Sequence, residues 1–156
     1  MRTAMTILLA ATATTAGSLI AACDEDWPST GIEGVNSSMI VHIANCTDQG
    51  VLELQVIGDE SRALWHIRAE TPQRTWAIEY GTTPPGFEAL EPVISLDEDE
   101  NFVVLATIVT GQGRELTTRD TYRAVRLRLG DVYVTNGEYV DPMDYQNWAM
   151  RKVCPN

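Results

Sequence analysis

Val51-Leu52-Glu53-Leu54-Gln55-Val56-Ile57, closed by Gly58-Asp59-Glu60 and followed by Ala63-Leu64-Trp65-His66-Ile67-Arg68, decides the fold. In the first run Leu52, Leu54 and Val56 alternate with Glu53 and Gln55, the two-residue period of a strand with one buried face. In the second, Ala63, Trp65 and Ile67 alternate with Leu64, His66 and Arg68. The glycine and acids between them are turn chemistry. The pattern repeats on both sides. Met39 to Cys46 is apolar and partly β-branched, and Trp76, Ile78 and Tyr80 alternate with Thr75, Ala77 and Glu79 after a break at Thr71-Pro72. A short extended piece covers Ala89 to Leu96. Phe102 to Val109 is apolar on both faces, which suits a central strand. Tyr122 to Leu129 is expected to be a strand with Val125, Leu127 and Leu129 inward and Arg126 and Arg128 outward. Gly130-Asp131 then turns it into Val132 to Thr135. About seven short strands with frequent turns predict a mainly β chain, a single Ig-like β-sandwich, with a closed barrel as the alternative.

The tail changes period. Asp141-Pro142-Met143-Asp144 has an acid in the N-cap position, proline at the first helical position and a further acid in the first turn. Arg151 and Lys152 stand where a helix dipole favours cations. A short C-terminal α-helix from Pro142 to about Lys152 is expected, with Tyr145, Trp148 and Ala149 facing the sheet.

At the other end, residues 5–22 carry no charge and follow Arg2. Six threonines and serines (Thr3, Thr6, Thr12, Thr14, Thr15, Ser18) dilute the stretch below what a spanning helix needs. It ends in Ile20-Ala21-Ala22-Cys23, small residues directly before a cysteine. This resembles the lipobox signal peptide of bacterial lipoproteins. The resemblance implies removal of residues 1–22, a diacylglyceryl group on Cys23, and localisation to the cell membrane as a lipid-anchored protein on the extracytoplasmic face. The remainder is broadly similar to small uncharacterised lipoproteins of GC-rich Gram-positive bacteria, a resemblance that carries no residue-level function. Residues 23–37 (Asp24-Glu25-Asp26, Pro28, Ser29, Gly31, Gly34) show no apolar period and are expected to be a flexible tether. The domain is placed at 38–156.

Three cysteines are an odd count. With Cys23 carrying lipid, Cys46 and Cys154 remain to pair as a disulfide, which an oxidising compartment would keep. They would staple the helix end to the end of the first strand.

Eleven basic residues against twenty-two acidic give a formal net charge of −11. Removing the leader takes away Arg2 and no acid, so residues 23–156 are one charge more negative. Such a surface repels nucleic acid.

The two histidines, His42 and His66, both fall within expected strands, and no nucleophile elbow, zinc-protease helix or phosphate-binding glycine loop is present. No catalytic residue, metal or other cofactor is assigned. Asp97, Asp99 and Asn101 have the spacing that opens a calcium loop, but the glycine and the later glutamate are missing, so the stretch is expected to be a solvated turn. The candidate binding loop is Gly81 to Phe87. Pro84 and Pro85 limit its entropy, Thr82 and Thr83 offer hydroxyls, and Phe87 either presents an apolar contact or folds back on the core.

These features point to a non-enzymatic, lipid-anchored binding or interaction module of the cell envelope, held by membrane lipid and engaging an envelope protein or small ligand. A structural envelope lipoprotein without a discrete ligand is the alternative, and a carboxylate-based hydrolase the more distant one.

Overall fold

The computed structural model describes residues 29–35, 38–46 and 50–154. Two antiparallel five-stranded sheets pack face to face as a β-sandwich, with one short helix on the outside. The strands are β1 (Thr30–Val35), β2 (Ser38–Ile43), β3 (Gly50–Ile57), β4 (Ala63–Gln73), β5 (Ala77–Glu79), β6 (Phe87–Glu91), β7 (Asn101–Val109), β8 (Glu115–Arg123), β9 (Val132–Val134) and β10 (Tyr139–Val140). The helix α1 spans Tyr145–Lys152. One sheet has the order β10-β9-β1-β2-β5 and the other β6-β4-β3-β7-β8.

The alternating runs do what their period dictates. Val51, Leu54, Val56, Trp65, Ile67, Val104, Ala106 and Ile108 of the second sheet meet Ile32, Val41, Ile43 and Ile78 of the first, and all are essentially inaccessible to solvent. Each large apolar side chain taken from water contributes about 1.5–3 kcal/mol. β7 is central, as its two-sided apolar character requires, with β3 on one side and β8 on the other.

Four expectations are corrected. First, residues 30–35 are not tether. They form β1, paired with both β2 and β9, and Ile32 lies in the core. The glycine that made this stretch look like a linker is there for close approach: a Cβ on Gly31 would fall 2.5 Å from Val132 Cγ1 and 2.8 Å from the Tyr145 ring. The domain therefore includes residues 30–35.

Second, Thr71-Pro72 does not end its strand. β4 runs on to Gln73, with its register slipping where Val51 faces Gln73 and Glu53 faces Arg68. An irregularity of this kind accommodates a proline that cannot donate to the ladder.

Third, Tyr122 to Leu129 is not one strand. β8 occupies Glu115–Arg123, a single turn of 3-10 helix covers Ala124–Arg126, and Val125 and Leu129 are exposed. The inward face of β8 carries Leu116, Thr118, Asp120 and Tyr122, and its middle is polar: Asp120 accepts hydrogen bonds from the Thr30 backbone N–H (2.8 Å), the Thr30 hydroxyl (2.7 Å) and the Thr118 hydroxyl (2.9 Å). The Tyr122 hydroxyl donates to the Thr30 carbonyl at 2.6 Å. These bonds clasp the first residue of β1 to the opposite sheet.

Fourth, the helix starts one turn late. The Asp141 carboxylate accepts from the Met143 N–H at 2.8 Å, closing a turn, and Asp144 takes the N-cap position. The expected face is retained: Tyr145 and Ala149 are buried against the outer side of the first sheet, and Trp148 is half-buried. Gln146 accepts from the Asn45 N–H and donates to the Ile43 carbonyl. Cys46 and Cys154 form the expected disulfide, with α-carbons 5.1 Å apart.

Burial, followed by the charge of Asp120, pushes the Tyr145 and Tyr122 phenols well above their ordinary value of 10. A phenol raised in the folded state contributes stability that is complete below pH 10 and is lost as pH rises above it. Tyr122 and Tyr145 should thus ionise only with unfolding: the late rise in 295 nm absorbance should coincide with loss of the β signal in circular dichroism. Full phenolate absorbance from an intact sandwich would contradict this placement.

Candidate functional site

The topology gives the sandwich two distinct ends. β1 runs from Thr30 to Val35, and its antiparallel partner β2 starts opposite Val35 and finishes opposite Thr30. The near end, where the described chain begins, holds Ser29, the Ala44 N–H that donates to the Ser29 carbonyl, and the Cys46–Cys154 bridge. The far end is five strand steps away, about 17 Å. It gathers the β3–β4 turn, the segment between β6 and β7, and residues 124–131.

A groove of about 650 Å³ opens at the far end. Val35 and Met39 of the first sheet, Tyr80, and Val93, Leu96, Leu127 and Leu129 of the two irregular segments supply its apolar lining. Val93 is half exposed and Leu129 is 71% exposed, so the apolar surface reaches the rim. The floor is held by Tyr80, whose hydroxyl contacts the carbonyls of Leu64 and Ile94 while its ring meets Trp65 edge-on at 5.4 Å. Burial and the nearby Glu100 charge push the Tyr80 phenol up to about 12, which keeps it neutral at physiological pH. Among the described residues that line the groove, Asp97 and Glu98 are the charged ones.

Next to it lies an acidic hollow of about 480 Å³, lined by Asp59, Glu60, Arg62, Asp97, Asp99 and Glu100. Asp97 belongs to both depressions. Glu100 is buried and pairs with Arg62 at 2.9 Å. Burial pushes its carboxyl up. The Arg62 hydrogen bond and the backbone N–H groups of Asp97 and Asp59 outweigh that and hold it below its ordinary 4.5. Its contribution to stability is therefore present above that pH and is lost as pH falls through the lowered value. Gly58 makes room for this carboxylate, since a Cβ there would lie 2.1 Å from Glu100 Oε1.

The expected site residues fall as follows. Cys23 lies outside the described residues. The loop carrying Thr82, Thr83, Pro84 and Pro85 joins β5 to β6, the edge strands of the two sheets on one side. The Thr82 hydroxyl donates to the Glu79 carbonyl, and the Phe87 N–H to the Pro84 carbonyl. Phe87 opens β6 opposite Ala69 and packs against the core. None of these five residues lines the groove. Asp97 and Asp99 sit in a turn closed by the Glu100 N–H on the Asp97 carbonyl, and Asn101 begins β7. Among the described residues no three His, Cys, Asp or Glu side chains are arranged to hold a metal ion. His42 pairs with Glu33 across β1 and β2, and His66 with Glu53 across β3 and β4, as cross-strand structural pairs.

Sequence reasoning missed the groove. Its only signal was the apolar Leu127 and Leu129, which the alternation assigned to a core face. No known family model, curated protein or solved structure matches this chain.

Proposed function

We propose that this chain is a lipid-anchored binding module on the extracytoplasmic face of a bacterial membrane, with the far-end groove as its recognition surface. One observation carries the reading: the described chain begins at one end of the sandwich and the groove opens at the other. Lipid on Cys23 would lie at most about 25 Å of extended chain from Thr30. The near end would then rest close to the bilayer and the groove would face away from it. Two acyl chains, at about 0.8 kcal/mol per buried methylene, anchor a domain without any spanning segment. Among the described residues no helix is long and apolar enough to cross a membrane. The disulfide suits an oxidising compartment.

Mass spectrometry of the protein from a membrane fraction tests this. Cys23 as the N-terminal residue with added diacylglyceryl mass is the expected result, and Cys23→Ala should leave the precursor unprocessed or release the protein. An unmodified N-terminus at another position overturns the anchor.

A further inference from the structure

We infer that the far-end groove and the acidic hollow beside it form one docking surface for an extended, basic polypeptide segment that alternates apolar and cationic side chains. The inference rests on the reading of this chain as a binding module and names the chemistry of its partner. The groove supplies an apolar receptacle at Leu96, Leu127 and Leu129, with exposed apolar surface at its rim. The adjoining hollow presents five carboxylates and one guanidinium, and Arg62 already pairs with the buried Glu100. Asp59, Glu60, Asp97 and Asp99 thus stand in excess, with Glu98 on the groove side. Arg123, Arg126 and Arg128 line neither depression, and the Arg128 guanidinium lies 4.0 Å over the Tyr139 ring.

Charge complementarity of this kind selects partners and orients them. The two depressions meet at Asp97, so successive side chains of an extended chain, which rises about 3.3 Å per residue, can address one and then the other. A purely apolar ligand would leave the acids without a counter-charge. A purely cationic one would leave the apolar lining wet.

The probes are fluorescein-labelled octapeptides titrated against the full chain purified in non-ionic detergent: alternating lysine and leucine, alternating glutamate and leucine, and lysine alone. The lysine–leucine peptide should bind at least about tenfold more tightly than either control. Its affinity should fall about tenfold between 0.05 and 0.5 M salt, as screening of exposed charges requires. Leu129→Ser and Glu98→Lys alter exposed residues that the fold does not need, and each should weaken binding at least fivefold. Glu115→Lys makes the same change of net charge at the other end of the sandwich and should leave affinity within twofold. Equal binding of the glutamate–leucine peptide would overturn the inference, and so would equal weakening by Glu115→Lys and Glu98→Lys. Peptide binding does not depend on the state of Cys23 in this format, so a failed anchor and a failed groove give separate results.

Discussion

Replacing Cys46 and Cys154 together by alanine is expected to destabilise the domain by about 3–5 kcal/mol and to lower its melting temperature by roughly 10 °C or more. The bridge joins residues 108 apart, so it removes a large share of the conformations open to the unfolded chain. For a loop near 100 residues that model gives about 4.7 kcal/mol, and measured values often fall below it. The consequence should also be local. Around the bridge the core is thin: Ala44, Cys46, Ala149 and Cys154, with Trp148 and Val153 alongside. At the other end of α1, Tyr145 is fully buried over Gly31 and against Val132 and Val134, and Gln146 is bonded to Ile43 at the end of β2 and to Asn45 beyond it. Hydrogen exchange after reduction should therefore speed up at Ala149 to Cys154 before it does at β7. The helix should fray backward from its C-terminus. Unchanged protection over 149–154 would mean that packing alone holds the helix end.

Trp65→Ala should cost about 3–5 kcal/mol, a large part of what a domain of this size has to lose. Trp65 is the largest fully buried side chain, sits on β4 beneath Tyr80, and belongs to the main core cluster. Trp65→Phe should cost much less, about 1–2 kcal/mol. The reason is volume: phenylalanine keeps most of the buried ring and leaves a smaller cavity than alanine. Both variants also remove the indole N–H, which has no hydrogen-bond partner among the described residues, and so relieve alike a penalty of about 1–3 kcal/mol. Urea unfolding followed by circular dichroism measures both variants without relying on tryptophan emission. Equal costs for the two would contradict the close packing of the ring at this position.

The groove residues tolerate change for the opposite reason. Leu129 lines the rim, is exposed and contributes little to the core, so substitution there should leave stability within about 0.5 kcal/mol. Leu129→Ser can thus be judged by binding alone.

What the sequence determined by itself is the part of the fold whose information is local. β3, the first half of β4 and β5 follow from apolar alternation, β7 from a run apolar on both faces, and α1 from its Tyr145, Trp148, Ala149 face. The pairing of Cys46 with Cys154 was expected from an odd cysteine count once the lipobox resemblance set Cys23 aside. A two-residue or four-residue period is visible in one strand or helix without knowledge of its neighbours. What only the tertiary structure decided depends on a partner distant in the chain. β1 looked like linker because Gly31 has no side chain, and the Tyr145 ring that needs the space lies more than a hundred residues away. β8 was hidden because Thr118 and Asp120 interrupt its inward face between Leu116 and Tyr122, a pattern that makes sense only once Asp120 meets Thr30. Leu127 and Leu129 keep an apolar pattern yet line a groove, since the 3-10 turn at Ala124–Arg126 takes them out of the sheet. The strand order, the separation of the chain's start from the groove, and the meeting of the apolar and acidic depressions at Asp97 are likewise long-range facts, set by how two sheets close over one core.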